Sequence, residues 1–134
     1  MRADGIFTVT SFVPTDLAQE PPIATALPVG VARLEKVFAG EIEGRSATMF
    51  TAAFDQGTGV GTYVAMESFE GSLHGRAGTF NFAHSATTRG SDRAAEFFTI
   101  VPTSGTGDLG TITGGGGLAI DEDGTHRLWF EYEL

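Results

Sequence analysis

The sequence predicts an all-β fold, a closed antiparallel barrel of about eight strands with little helix. Three observations carry this expectation. Apolar and polar residues alternate in eight short runs, turn-forming residues separate most of those runs, and the 3.6-residue repeat of an amphipathic helix is missing. Runs joined by tight turns form a meander rather than βαβ units, and a meander of this length loses its exposed edges by closing on itself. The 134 residues make one domain, 1–134, long enough to bury about two thirds of its unfolded surface.

The first run, Gly5 to Val13, sets Phe7, Val9 and Ser11 against Ile6, Thr8 and Thr10. The second, Val29 to Phe38, sets Val29, Val31, Arg33 and Glu35 against Ala32, Leu34, Lys36 and Phe38. Four more follow at Gly44–Phe54, Gly61–Phe69, Gly78–Thr87 and Ala94–Val101. The last two are a glycine-interrupted run, Gly110–Ile120, and His126–Leu134. Asp55-Gln56-Gly57, Leu73-His74-Gly75, Arg89-Gly90-Ser91 and Asp123-Gly124 supply turn chemistry at four joints. Ser91 to Glu96 is the one stretch with helix-like character. Pro14 to Pro28 holds four prolines and little alternation. It reads first as a crossover over one barrel end, and otherwise as a lid or an arm gripping a partner.

Nineteen glycines, about twice the usual share, punctuate the runs where positive φ or a bulge is wanted. With 41% hydrophobic residues and 11 Phe, the chain has the material for a packed core. Cysteine is absent, which excludes disulfides, thiolate chemistry and Cys-based metal sites. The net charge of -9 and the scattering of single arginines argue against nucleic acid and anionic membranes as partners. The first residues, Met1 to Gly5, carry no apolar signal core, and no run reaches the length of a membrane helix. A cytoplasmic protein is expected.

Gly105-Thr106-Gly107-Asp108-Leu109-Gly110 matches the dinucleotide-binding glycine pattern, but Gly114 to Gly117 follow where a phosphate-binding helix must start. It reads instead as a strand–turn–strand corner. Asp121-Glu122-Asp123-Gly124 does not align with a calcium loop and reads as a hairpin tip. His74, His84 and His126 lie on separate segments without ligand spacing, and His74 and His126 sit by glycine turns as surface residues. No metal or cofactor is expected. No Gly-x-Ser-x-Gly occurs, and Ser104 has no evident base, so no catalytic residue is assigned.

The informative residues are polar ones on strands that otherwise read as core. Tyr63, Ala65, Glu67 and Phe69 share one strand face; Phe80, Phe82 and His84 share another; Glu96, Phe98 and Ile100 a third. If these faces turn inward, Tyr63, Glu67, His84, Glu96 and Phe98 line a cavity where burial retunes the carboxyls and the imidazole for acid–base work. If parity is reversed, the charges are solvated. Apolar residues on both faces of several strands, such as Tyr63 and Phe69 against Val64 and Met66, point to a partner subunit and a homodimer.

Several segments together resemble a known family. They are Phe38-Ala39-Gly40-Glu41-Ile42-Glu43-Gly44, Tyr63 to Gly71, Gly75-Arg76-Ala77-Gly78-Thr79-Phe80 and, most specifically, Val101-Pro102-Thr103-Ser104-Gly105-Thr106-Gly107-Asp108-Leu109. Over nearly the whole chain this resembles an uncharacterised bacterial domain-of-unknown-function family with an allene-oxide-cyclase-like barrel. The resemblance implies an eight-stranded barrel, often dimeric, in a wider group that includes plant allene oxide cyclases and dirigent proteins. It implies no established activity. No catalytic residue carries over, because only the structural Ile112 to Gly117 stretch matches the cyclases locally.

Three functions stand open. The barrel interior binds a small hydrophobic molecule; or it is a cofactor-free isomerase or cyclase in which Glu67 or His84 moves a proton; or the barrel is fully packed and acts only through a dimer surface.

Overall fold

The computed structural model describes all residues, 1–134. Eight strands occupy 69% of them: β1 (Arg2–Pro14), β2 (Val29–Gly40), β3 (Ile42–Asp55), β4 (Val60–Leu73), β5 (Arg76–Arg89), β6 (Asp92–Ile100), β7 (Thr113–Ile120) and β8 (His126–Glu133). Each is antiparallel to its neighbours in the order of the chain, and β8 returns to β1 through pairs from Arg2–Glu131 to Phe7–His126. The ring closes, as the alternating runs predict. It is not evenly round one axis, and its strands differ in length, 14 residues in β3, β4 and β5 and 8 in β7 and β8.

Glycines let the sheet coil tightly near one end. Gly44, Gly71 and Gly78 stand in one cross-strand row. A Cβ on Gly71 would lie 2.1 Å from the Glu43 carbonyl oxygen, so no larger residue fits that approach. The β2–β3 joint, a single residue (Glu41) between the strands, has no turn signature except Gly40, whose φ of 114° lets the chain reverse there.

That end is closed. Residues 101–112 do not form the strand corner expected of the glycine motif, and β7 starts at Thr113 rather than Gly110. They form a plug with one 3-10 turn, Gly107–Leu109, and bury Leu109 and Ile112 completely. Where β6 stops following β5, the plug satisfies the exposed edge: the Asn81 N–H donates to Ser104 Oγ (2.9 Å) and the Thr79 N–H to Thr106 Oγ1 (3.1 Å). This explains the chemistry of the Ser-Gly-Thr-Gly run better than any ligand does. Above the plug, Phe69, Phe80, Phe82 and Phe130 pack with ring centroids 5.1–6.2 Å apart. Their burial is the main local stabilisation, at up to about 3 kcal/mol each.

The other end is open. Pro14–Pro28 joins two adjacent strands there; of the segment only Pro14 and Pro28 line the cavity at the mouth, and Leu17 and Ile23 stay exposed. It is neither a seal nor a crossover, since β1 and β2 pair directly. The helix-like Ser91–Glu96 stretch lies mostly in β6, which carries an irregularity: Ala95 has φ of 52° and the register with β5 shifts between Ser85 and Thr87.

Candidate functional site

Between the phenylalanine core and the open mouth lies a layer of buried polar side chains. Alternation on β2 turns Ala32, Leu34, Lys36 and Phe38 inward; on β4 it turns Ala65, Glu67 and Phe69 inward; on β5, Phe80, Phe82, His84 and Ala86. Glu67 is 0% exposed and Lys36 and His84 are each 4% exposed. Lys36 Nζ donates to Glu67 Oε2 at 2.7 Å, Ser46 Oγ donates to Glu67 Oε1 at 2.8 Å, and His84 Nε2 forms a short hydrogen bond to Oε2. The Lys36 ammonium also sits 4.8 Å from the Phe7 ring centroid. Thr48 Oγ1, buried on the next inward position of β3, has no hydrogen-bond partner in the protein.

The three donors decide the state of Glu67. Burial alone would push its carboxyl up, but the His84 hydrogen bond and the Lys36 charge outweigh it and hold the pKa at about 2. Glu67 is therefore an ionised acceptor at neutral pH, and the bridging proton on Nε2 belongs to His84.

The chain of hydrogen bonds continues toward the mouth. Tyr63 OH lies 2.8 Å from His84 Nδ1, and Arg93 Nη2 donates to Tyr63 OH at 2.9 Å. Arg93 Nε donates to Glu96 Oε1 at 2.8 Å. Desolvation raises the Tyr63 phenol, opposed by the nearby Arg93. Arg93 keeps its charge: burial works against it, but its bonds to Tyr63 and Glu96 raise its pKa above the ordinary value.

Tyr63 also belongs to the cavity. A half-open space of about 530 Å³ occupies the mouth, walled by Phe12, Pro14, Ala32, Phe50, Phe54 and Tyr63 among others. Phe50 and Tyr63 stack at 5.4 Å, 17° from parallel, and Phe12 meets Phe50 edge-on at 6.1 Å. The space is apolar along its walls, and Tyr63 joins it to the buried polar layer.

Of the five residues expected to line a cavity, only Tyr63 does. Glu67 and His84 turn inward but lie enclosed behind it. Phe98 is half-buried in the core, stacked on Phe82 at 5.4 Å and on His84 at 5.7 Å. Glu96 is corrected outright: its side chain is 51% exposed, because the irregularity at Ala95 leaves it on the rim beside Arg93. His126, expected at the surface, is half-buried against Phe7 at 5.1 Å. Sequence reasoning passed over Lys36, Ser46 and Arg93. The signal for Lys36 was present: the chain's one lysine shares a strand face with Ala32, Leu34 and Phe38. No group of three or more His, Asp or Glu side chains converges to hold a metal.

A family model described as a protein of unknown function, DUF3224, matches residues 3–132. The chain belongs to the DUF3224 family. A solved structure of a DUF3224 protein of unknown function from Shewanella oneidensis MR-1 is similar to it throughout, with 27% identity and a TM-score of 0.81. The likeness covers 100% of this chain and 97% of that one. Comparison with curated proteins gives no match. Membership in DUF3224 accounts for the resemblance carried by the Val101–Leu109 run, whose residues build the plug.

Proposed function

We propose that this DUF3224 protein binds a small, mainly apolar molecule in the open mouth of its barrel, with Tyr63 as the polar contact. The carrying observation is the aromatic-walled cavity of about 530 Å³ that ends on a phenol held by two further side chains. Its size falls within the range of small-molecule sites, roughly 300–1,000 Å³, which combine apolar walls with few fixed polar groups. The test is calorimetric titration with 2-naphthol, an apolar ring bearing one hydroxyl, against wild type and Ala52→Trp. Ala52 is half-buried in the wall, so the indole fills the space. Naphthol binding is expected to weaken by about tenfold or more in the variant, with unfolding changed by about 1 kcal/mol or less. Equal binding by both proteins would overturn the placement.

The hydrogen-bonded Tyr63–His84–Glu67 chain favours a second reading, a cofactor-free isomerase. Moving a proton on a substrate requires a titratable group within hydrogen-bond reach of it. Apart from Tyr63, the polar side chains of the cavity wall are Gln56, Thr62 and Thr88, none of which titrates near neutrality. Binding is therefore the better supported use.

We also infer that a second copy of the chain covers the outer face of β3 to β6. Met49 pairs with Met66, Met66 with Ala83, Val64 with Ser85, and Ser85 with Phe97. Met49, Val64, Met66 and Phe97 are 49–58% exposed, and from β3 to β6 their rows carry no charge, Arg33 on β2 standing at the end of the Met49 row. For a chain of net charge -9, this face lets two copies meet without opposing like charges. Sedimentation is expected to show a dimer at micromolar concentration and a monomer for Val64→Lys. A wild-type monomer would rule the interface out.

A further inference from the structure

The hydrogen-bond directions at the base of the cavity select a ligand class. Glu67 is ionised and accepts only, so His84 carries its proton on Nε2 when neutral, and Nδ1 accepts from the Tyr63 hydroxyl. Tyr63 oxygen in turn accepts from Arg93. In this state the Tyr63 hydrogen is committed to His84, and the phenol offers the cavity no donor. When His84 gains a second proton, Nδ1–H donates to Tyr63 oxygen instead. The phenolic hydrogen is then released from His84 and can turn to the ligand.

Charge decides when that happens. The charged and titratable groups around His84 are Glu67 and Tyr63 from β4, Lys36 from β2, and Arg93 with its partner Glu96 from β6. With His84 neutral, two cations face two carboxylates and the cluster is balanced. A second proton on His84 leaves one positive charge in excess, in a layer largely closed to water. An anionic oxygen from a ligand beside Tyr63 restores the balance. Arg93 supplies a second contact, because its Nη1 has no hydrogen-bond partner in the protein while Nε and Nη2 are engaged. Its cross-strand partner, Thr88, is part of the cavity wall.

The geometry points to an apolar monocarboxylate as the ligand, its carboxylate taking hydrogen bonds from Tyr63 and Arg93 while His84 takes up one proton. This rests on the cavity being a binding site, and deepens that reading by naming the head group. The proton comes from solvent and is returned when the ligand leaves; the only bond formed and broken is the Nδ1–H of His84.

The experiment pairs 2-naphthoate with 2-naphthol, the same ring with and without the carboxylate. Calorimetry in two buffers of different ionisation enthalpy is expected to show proton uptake on binding naphthoate and none for naphthol. The ¹⁵N resonances of the His84 ring are expected to move to the doubly protonated position with naphthoate only. Arg93→Gln, which also removes one of the two groups holding Tyr63, is expected to weaken naphthoate by about tenfold or more relative to naphthol measured on the same variant. If neither probe binds, the binding reading fails and this inference with it. If naphthol binds but naphthoate does not, or naphthoate binds without protonating His84, the cavity stands and the carboxylate inference is overturned. Proton uptake with an unchanged His84 spectrum means that the neutral acid binds, and also overturns it.

Discussion

Glu67→Ala is expected to lower the unfolding free energy by about 3–5 kcal/mol, the usual cost of removing one partner from a buried charge pair. The carboxylate is fully enclosed and holds Lys36, Ser46 and His84 at once. Its removal leaves a buried ammonium facing a cavity. Glu67→Gln keeps the shape and is expected to fold, with a smaller loss, because an amide oxygen still accepts one hydrogen bond. Lys36→Met together with Glu67→Gln is expected to cost at least about 1 kcal/mol less than the two single changes added, since the double variant leaves neither charge unpaired. Urea unfolding at neutral pH measures wild type and the four variants. Strict additivity would show that Lys36 and Glu67 do not act as a pair.

The same carboxylate gives acid sensitivity a sign. Its pKa is about 2 in the folded protein, against an ordinary carboxyl value of 4.5. A group depressed on folding stabilises above its unfolded pKa and loses that contribution as pH falls toward the folded value. Wild type is therefore expected to lose about 3 kcal/mol from Glu67 between pH 6 and pH 2, on top of losses from other carboxylates. Glu67→Gln should lack that component. Parallel stability–pH curves for the two proteins would place Glu67 in solvent.

Phe82→Ala is expected to cost about 3–5 kcal/mol and to disturb the site as well. The Phe82 ring is fully buried, stacked on Phe98 at 5.4 Å and on His84 at 5.8 Å, and meets Phe130 edge-on at 5.1 Å. Its loss opens space directly beneath the imidazole that bridges Glu67 and Tyr63. Urea unfolding should register the stability loss, and the His84 ring resonances should broaden or shift. Val37→Thr, on the outer face and 47% exposed, is expected to stay within about 0.5 kcal/mol of wild type. A Phe82 effect as small as this control would contradict the packing described.

The sequence by itself determined the eight strands, their antiparallel order and which side chains share a face, Tyr63, Glu67 and Phe69 on one strand and Phe82 with His84 on the next; that these faces turn inward was decided by the closed ring. The strands and shared faces follow from period-2 alternation and local turn chemistry, which act between residues close in the chain. Lys36 was legible in the same way, as a charge on an apolar face, although nothing nearby in sequence names its partner. The partnership itself spans 31 residues, and that of Arg93 with Tyr63 spans 30. Only register across paired strands brings such groups within hydrogen-bond distance. Tertiary structure also decided the two exceptions to alternation. The positive φ at Ala95 moved Glu96 to the rim, and the 101–112 segment became a plug because Leu109 and Ile112 bury more surface beneath the phenylalanine core than they would in an extended strand. Alternation fixes which side chains share a face; whether that face meets solvent, a cavity, a packed core or a plug depends on what the closed ring sets opposite it.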